Sequence, residues 1–156
     1  KNMSGKVGRA GSKSGQIGLS GIVLQIANKN FGSTFTSSSD HSAYQTVANL
    51  THADFVVGAG NIVFLTLSLR ATVNNSGDGF SVKILRGSTL LMESVNNFFS
   101  QGGTMGSQLG FQNYEVPGAG TYTYTVQIKN RQNSAISVNP NATTGTSSMT
   151  IMEIKG

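Results

Sequence analysis

The chain has 156 residues and no cysteine, so it is long enough to bury a core of its own, and a disulfide framework or a thiolate zinc site is excluded. Only 11% of residues are charged, against about 25% in an average soluble domain. The net charge of +5 is uneven: Lys1, Lys6, Arg9 and Lys13 carry four units with no acid before Asp40, and beyond them seven basic residues face six acids.

Residues 1–20 show no helical or strand periodicity. Glycine recurs at Gly5, Gly8 and Gly11, slips by one, and resumes at Gly15, Gly18 and Gly21. A collagen triple helix needs unbroken phase and imino acids, but the phase breaks and no proline precedes Pro117. The segment reads instead as an extended basic arm, about 65 Å long if fully drawn out, that needs a second surface to order it. Its charge asymmetry suits docking on an acidic partner. Four spaced cations without an aromatic make a poor nucleic-acid signature, so no nucleic-acid partner is expected. No run of about 20 apolar residues occurs, so no membrane partner is expected. The N-terminus also lacks the apolar core of a signal peptide.

From Gly21 onward short alternating segments are separated by Gly, Asn, Ser and Asp clusters. "GIVLQIAN" is the first expected strand. "AYQTVANL" is the second, with Tyr44, Val47 and Leu50 competing for the inward face. "NIVFLTLSLRATV" alternates strictly: Val63, Leu65, Leu67, Leu69, Ala71 and Val73 share one face, and Ile62 and Phe64 head the other. "FSVKILRG" follows the turn "NNSGDG", and "STLLMES" follows "RGS". "QGGTMGSQ" reads as a glycine-rich loop. "LGFQNYEV" reads as a strand whose phase shifts from Leu109 and Phe111 to Tyr114 and Val116. "TYTYTVQIKN", "SAISVN" and "SSMTIMEI" complete the set.

Eight or nine strands and no helix predict an all-β fold. An antiparallel jelly-roll sandwich over residues 21–156 carries the arm 1–20. Two of the strands are apolar on both faces. One face packs in the core, and the other needs a cover, supplied either by a neighbouring subunit around a symmetry axis or by a second sheet or a long loop of the same chain. Ile62, Phe64, Tyr122, Tyr124, Met152 and Ile154 are the expected subunit-interface residues.

Catalytic signals are weak. The six acids are scattered, "GAGN" and "SGDG" open no helix, and Asp40-His41 lacks a nucleophile-elbow sequence. His41 and His52 are expected to be exposed. No enzyme activity, cofactor, metal or small-molecule substrate is expected.

Taken in order, "GIVLQIA", "FSVKILRGSTLL", "GTYTYTVQIKN" and "SSMTIMEI" resemble a family of virion proteins of tailed bacteriophages, including those of cyanobacteria. Members carry a "GKVLQ"-like start, an "LxRGST" turn, a "TYxVQ" strand and a "STITLMEI"-like end. The resemblance spans roughly residues 21–154. It implies a jelly roll similar to the tumour-necrosis-factor and complement-head folds, usually a homotrimer, on the particle. This chain departs from the pattern in "NNFFSQGGTMGSQ" and in its arm. The function that follows is a capsid decoration, or cement, protein on the virion surface. Its partners are itself and the major capsid protein, the latter reached through Lys1, Lys6, Arg9 and Lys13. The alternative is a trimeric tail-fibre tip that binds host glycans. A free lectin or glycan-cleaving enzyme is the weaker third reading.

Overall fold

The computed structural model describes residues 21–38, 42–73, 78–99, 105–132, 134–139 and 146–156. Among the described residues eleven strands occur: β1 (Val23–Phe31), β2 (Phe35–Thr36), β3 (Gln45–Thr46), β4 (His52–Val57), β5 (Ile62–Val73), β6 (Gly79–Arg86), β7 (Thr89–Phe99), β8 (Met105–Glu115), β9 (Gly120–Asn130), β10 (Ile136–Val138) and β11 (Ser147–Ile154). The 3-10 turn Ala48–Leu50 precedes β4.

Every pairing is antiparallel. In the first sheet the long strands run β1-β11-β5-β8, short β10 pairs with the far end of β5, and β2 pairs with β10. In the second sheet β4 and β3 share one side of β9, with β6 and then β7 on the other. The orders β1-β11-β5-β8 and β4-β9-β6-β7 are those of an eight-strand jelly roll. Successive strands mostly change sheet, so most pairings are long-range in sequence, and the packed side chains between the sheets hold the two layers together.

The core follows from the period of two. Leu65, Leu67 and Leu69 of β5, with Met149 and Ile151 of β11, meet Phe80, Val82 and Ile84 of β6 and Val126 and Ile128 of β9, all but solvent-free. Each such side chain contributes roughly 1.5–3 kcal/mol on leaving water.

Four expectations are corrected. "HADFVV" is a strand, β4, that the alternation pattern does not reveal, because the ladder slips between His52 and Phe55 at Asp54, whose φ is +56°. "AYQTVANL" is a short strand followed by the 3-10 turn, which buries Val47 and Leu50 together instead of setting them in competition. The "MGSQ" of the expected glycine loop already belongs to β8. Finally, β8 keeps one phase throughout: Asn113 and Glu115 take inward positions, and Tyr114 points out.

Candidate interaction face

The outer face of the first sheet is built by the residues that β5 does not bury. Ile62, Phe64, Thr66 and Ser68 alternate with its core residues. Register extends each of them sideways. Ile26 of β1 stands opposite Met152 of β11, Met152 opposite Phe64 of β5, and Phe64 opposite Tyr114 of β8. The neighbouring row is Val23, Ile154 and Ile62, and Val116 follows just past the end of β8. On the other side lie the rows Asn28, Thr150, Thr66, Gln112 and then Asn30, Ser148, Ser68, Gly110. The face is therefore apolar at one end and polar at the other.

None of these outward residues is Asp, Glu, Lys, Arg or His, and the first charge on this side of β5 is Arg70, beyond the polar rows. Ile26 is 62% exposed and Tyr114 74%, while Phe64, Met152, Ile62 and Ile154 lie half-covered between their row neighbours. The polar end is largely satisfied by itself. Asn28 Nδ2 donates to Thr150 Oγ1 at 2.6 Å and Gln108 Nε2 to Ser68 Oγ at 2.8 Å. The missing side chain of Gly110 leaves a depression of about 260 Å³ bordered by Thr66, Ser68, Gln112 and Ser148.

A buried carboxylate braces the apolar end from beneath. Glu153, 6% exposed, accepts Gly58 N–H at 2.7 Å and Asn61 Nδ2 at 2.6 Å on one oxygen, and Gln25 Nε2 at 2.8 Å on the other. It thereby ties β1, the β4–β5 turn and β11 together. The Gly58 N–H bond, aided by the two side-chain amides against the opposing effect of burial, holds this carboxyl below its ordinary pKa. The chain enters the domain at the same end: Gly21 N–H donates to Lys155 O at 2.6 Å and Lys155 N–H to Ile22 O at 2.8 Å.

The outer face of the second sheet contrasts with this. Tyr44 lies across it, with its ring 4.1 Å below Lys83 Nζ and 5.2 Å from Lys129 Nζ, and its hydroxyl donates to Glu93. Burial and the Glu93 carboxylate push that phenol up to about 12. Gln127 Nε2 donates to Thr46 Oγ1 at 3.1 Å. Strand-surface polar groups here find partners within the chain.

The structure brings Ile62, Phe64, Met152 and Ile154 together on the open face, and it adds Ile26, Val23, Tyr114 and Val116. The tyrosines of β9 do not join them. Tyr124 is fully buried, edge-on to Phe55 at 6.0 Å, with its hydroxyl donating to Glu115 at 2.9 Å. It has no surface to offer a neighbour, which corrects its assignment to an interface. Tyr122 is engaged within the subunit as well: its hydroxyl donates to Pro117 O at 2.9 Å and Arg86 covers its ring at 4.9 Å. Arg86 in turn pairs with Glu115 at 2.9 Å. The partly apolar, inward alternation of "TYTYTV" belongs to the core side of the second sheet.

His52 also differs from expectation. It is 4% exposed, its Nε2–H donates to Met149 O at 3.0 Å, and burial lowers its pKa. Lys1, Lys6, Arg9, Lys13, Asp40 and His41 lie outside the described residues. Among the described residues no three of His, Asp and Glu come close enough to hold a metal ion.

No family model and no curated protein matches the chain. Solved structures do. The structure of the infectious bursal disease virus Gx strain is similar over 85% of this chain and 40% of its own length, with a TM-score of 0.50 at 9% identity. The crystal structure of the infectious bursal disease virus VP2 subviral particle is similar over 86% of this chain and 38% of its own, with a TM-score of 0.49 at 9% identity. The C-terminal CBM6 of LamC, from Zobellia galactanivorans, is covered over 99% of its length, at a TM-score of 0.34 and 10% identity. The chain thus spans about two fifths of the virus proteins it matches. At such identities the likeness is one of fold.

Proposed function

We propose that the chain is a non-enzymatic virion structural protein that decorates the outer surface of a capsid as a homotrimer and stabilises the shell through its N-terminal arm. The observation that carries this reading is the open, uncharged apolar half-face lying where the basic arm joins the domain. A jelly roll like that of a virus structure supports it, as does the ordered set of phage-like sequence motifs.

The mechanism is mechanical. Each arm lies over major-capsid-protein subunits, and its cations meet acidic groups there. A ligand that binds only the assembled shell stabilises it by mass action, about 2.7 kcal/mol per site at a hundredfold excess over Kd. Lys1, Lys6, Arg9 and Lys13 supply contacts that weaken with salt, since exposed pairs are screened within about 10 Å at 0.1 M.

Deleting residues 1–20 tests the reading. The truncated protein keeps its fold and its assembly state but no longer binds emptied capsids. Full binding without the arm would rule the clamp out. Antibody labelling spread over the whole head supports the capsid location, whereas labelling confined to the tail would favour a fibre tip.

A further inference from the structure

We infer that the apolar half-face is the surface through which copies of this chain associate with one another, and that this association gathers their arms at one edge of the assembly. The inference rests on the decoration reading only for what the arms then grip.

Three observations name a second copy as the occupant. First, the outward residues of both apolar rows include no acid and no base, so three copies that turn this face toward a common axis bury no unpaired charge. Neither this chain's basic arm nor any other charged segment finds a counter-charge there. Second, the composition matches the centre of a protein–protein contact. Tyr114, Phe64 and Met152 are of the types enriched in such centres, while the satisfied amides and hydroxyls of the polar rows suit its rim. Third, the size fits one part of an assembly contact. Four strands about 4.8 Å apart and two outward rows cover a few hundred Å², against about 800 Å² per partner in a standard interface. The apolar rows then form the centre, and the polar rows and the rim beside Ile22 complete the area.

The arm follows from geometry. Gly21 is bonded to Lys155, directly beyond the row Val23, Ile154, Ile62. Joining copies through this face brings the roots of their arms to a common border. Arms that share one base engage a shell together, and the second and third contacts become intramolecular. Avidity of this kind exceeds single-arm affinity by about 10²–10⁴.

The test uses the full chain with Phe64→Glu and, separately, Tyr114→Lys, whose exposed ring leaves the fold independent of it. Thr123→Lys on the opposite outer face is the control. Sedimentation equilibrium is expected to give a trimer for the wild type and the control, and folded monomers for both face variants. Capsid binding by those monomers should weaken at least a hundredfold although every arm is intact. Trimers in both face variants, or a monomeric wild type, would overturn the inference. If the variants stay trimeric while arm deletion abolishes capsid binding, the face is wrong and the decoration reading stands. If the variants become monomeric but the wild type ignores capsids, the face stands and the decoration reading falls.

Discussion

Glu153 shows how one polar residue can hold an otherwise apolar strand in place. It occupies an inward position of β11, where a charge is costly unless it is met by donors, and three meet it. Hydrogen bonds to a charged group contribute about 1.5–3 kcal/mol each, so Glu153→Ala should lower unfolding free energy by about 3 kcal/mol in a denaturant titration. The turn beneath is matched to it: a Cβ on Gly58 would lie 2.7 Å from Asn61 Nδ2 and 3.4 Å from Glu153 Oε1. Gly58→Ala therefore displaces Asn61, at an expected cost of about 1–3 kcal/mol. The pH dependence has two parts of the same sign. His52 is held below its ordinary 6.5 and Glu153 below its ordinary 4.5. In each case the unfolded chain takes up a proton that the fold resists. Stability is full above the ordinary value and is lost as pH falls through the lowered one. Unfolding measured across pH should show one decline starting near 6.5 and a second starting near 4.5, and Glu153→Gln should remove only the second. Neither node was legible in the sequence, because a lone Glu or His on a strand declares its partners only once register brings Gly58, Asn61 or Met149 alongside.

The strands differ in how openly they declare themselves. Strict alternation makes β5 readable at sight, and its faces are as the pattern implies from Ile62 to Ala71, after which Thr72 is buried as well. In β4 the ladder shift around Asp54 puts the buried positions at His52, Phe55 and Val57, so no period of two survives. In β8 hydrophobicity misleads, since inward Asn113 donates to Leu91 O at 3.0 Å and inward Glu115 is held by Arg86 and Tyr124. Partners across the sandwich, and not local composition, decide which way β8 faces. Mutations on the two faces of β5 should separate cleanly. Leu67→Ala opens a core cavity and should cost about 2–5 kcal/mol, whereas Phe64→Ala should leave the isolated domain within about 1 kcal/mol and act on assembly. Tyr124→Phe should cost about 1 kcal/mol through its bond to Glu115 and leave the assembly state unchanged. Chemical denaturation and light scattering on the same samples check all three. The first strand, at the edge of its sheet, carries Lys29 and a bulge between Val23 and Gln25, features that discourage uncontrolled edge pairing.

As a whole the molecule is a jelly roll with two unlike outer surfaces. The second sheet turns outward paired polar groups with Tyr44 as their centrepiece, and its strands β4 and β7 expose only the separate apolar side chains Val56, Leu90 and Val95 among the described residues. The first sheet turns outward an uncharged half that is apolar across four strands. The sequence carried both the all-strand architecture and the two-sided character of β5 and β11. It could not show that Ile26 and Tyr114, far apart along the chain, extend the row of Phe64 and Met152, because only the strand order β1-β11-β5-β8 makes them neighbours. In the function proposed here the arm's charge and the face's lack of it divide the work: one would grip an acidic surface, and the other would join copies of the chain. Sedimentation equilibrium of the 156-residue chain tests this most directly. The account predicts a particle of three 16.3 kDa chains that dissociates to folded monomers when Phe64 becomes Glu. A wild-type monomer, or a trimer indifferent to that charge, would contradict it.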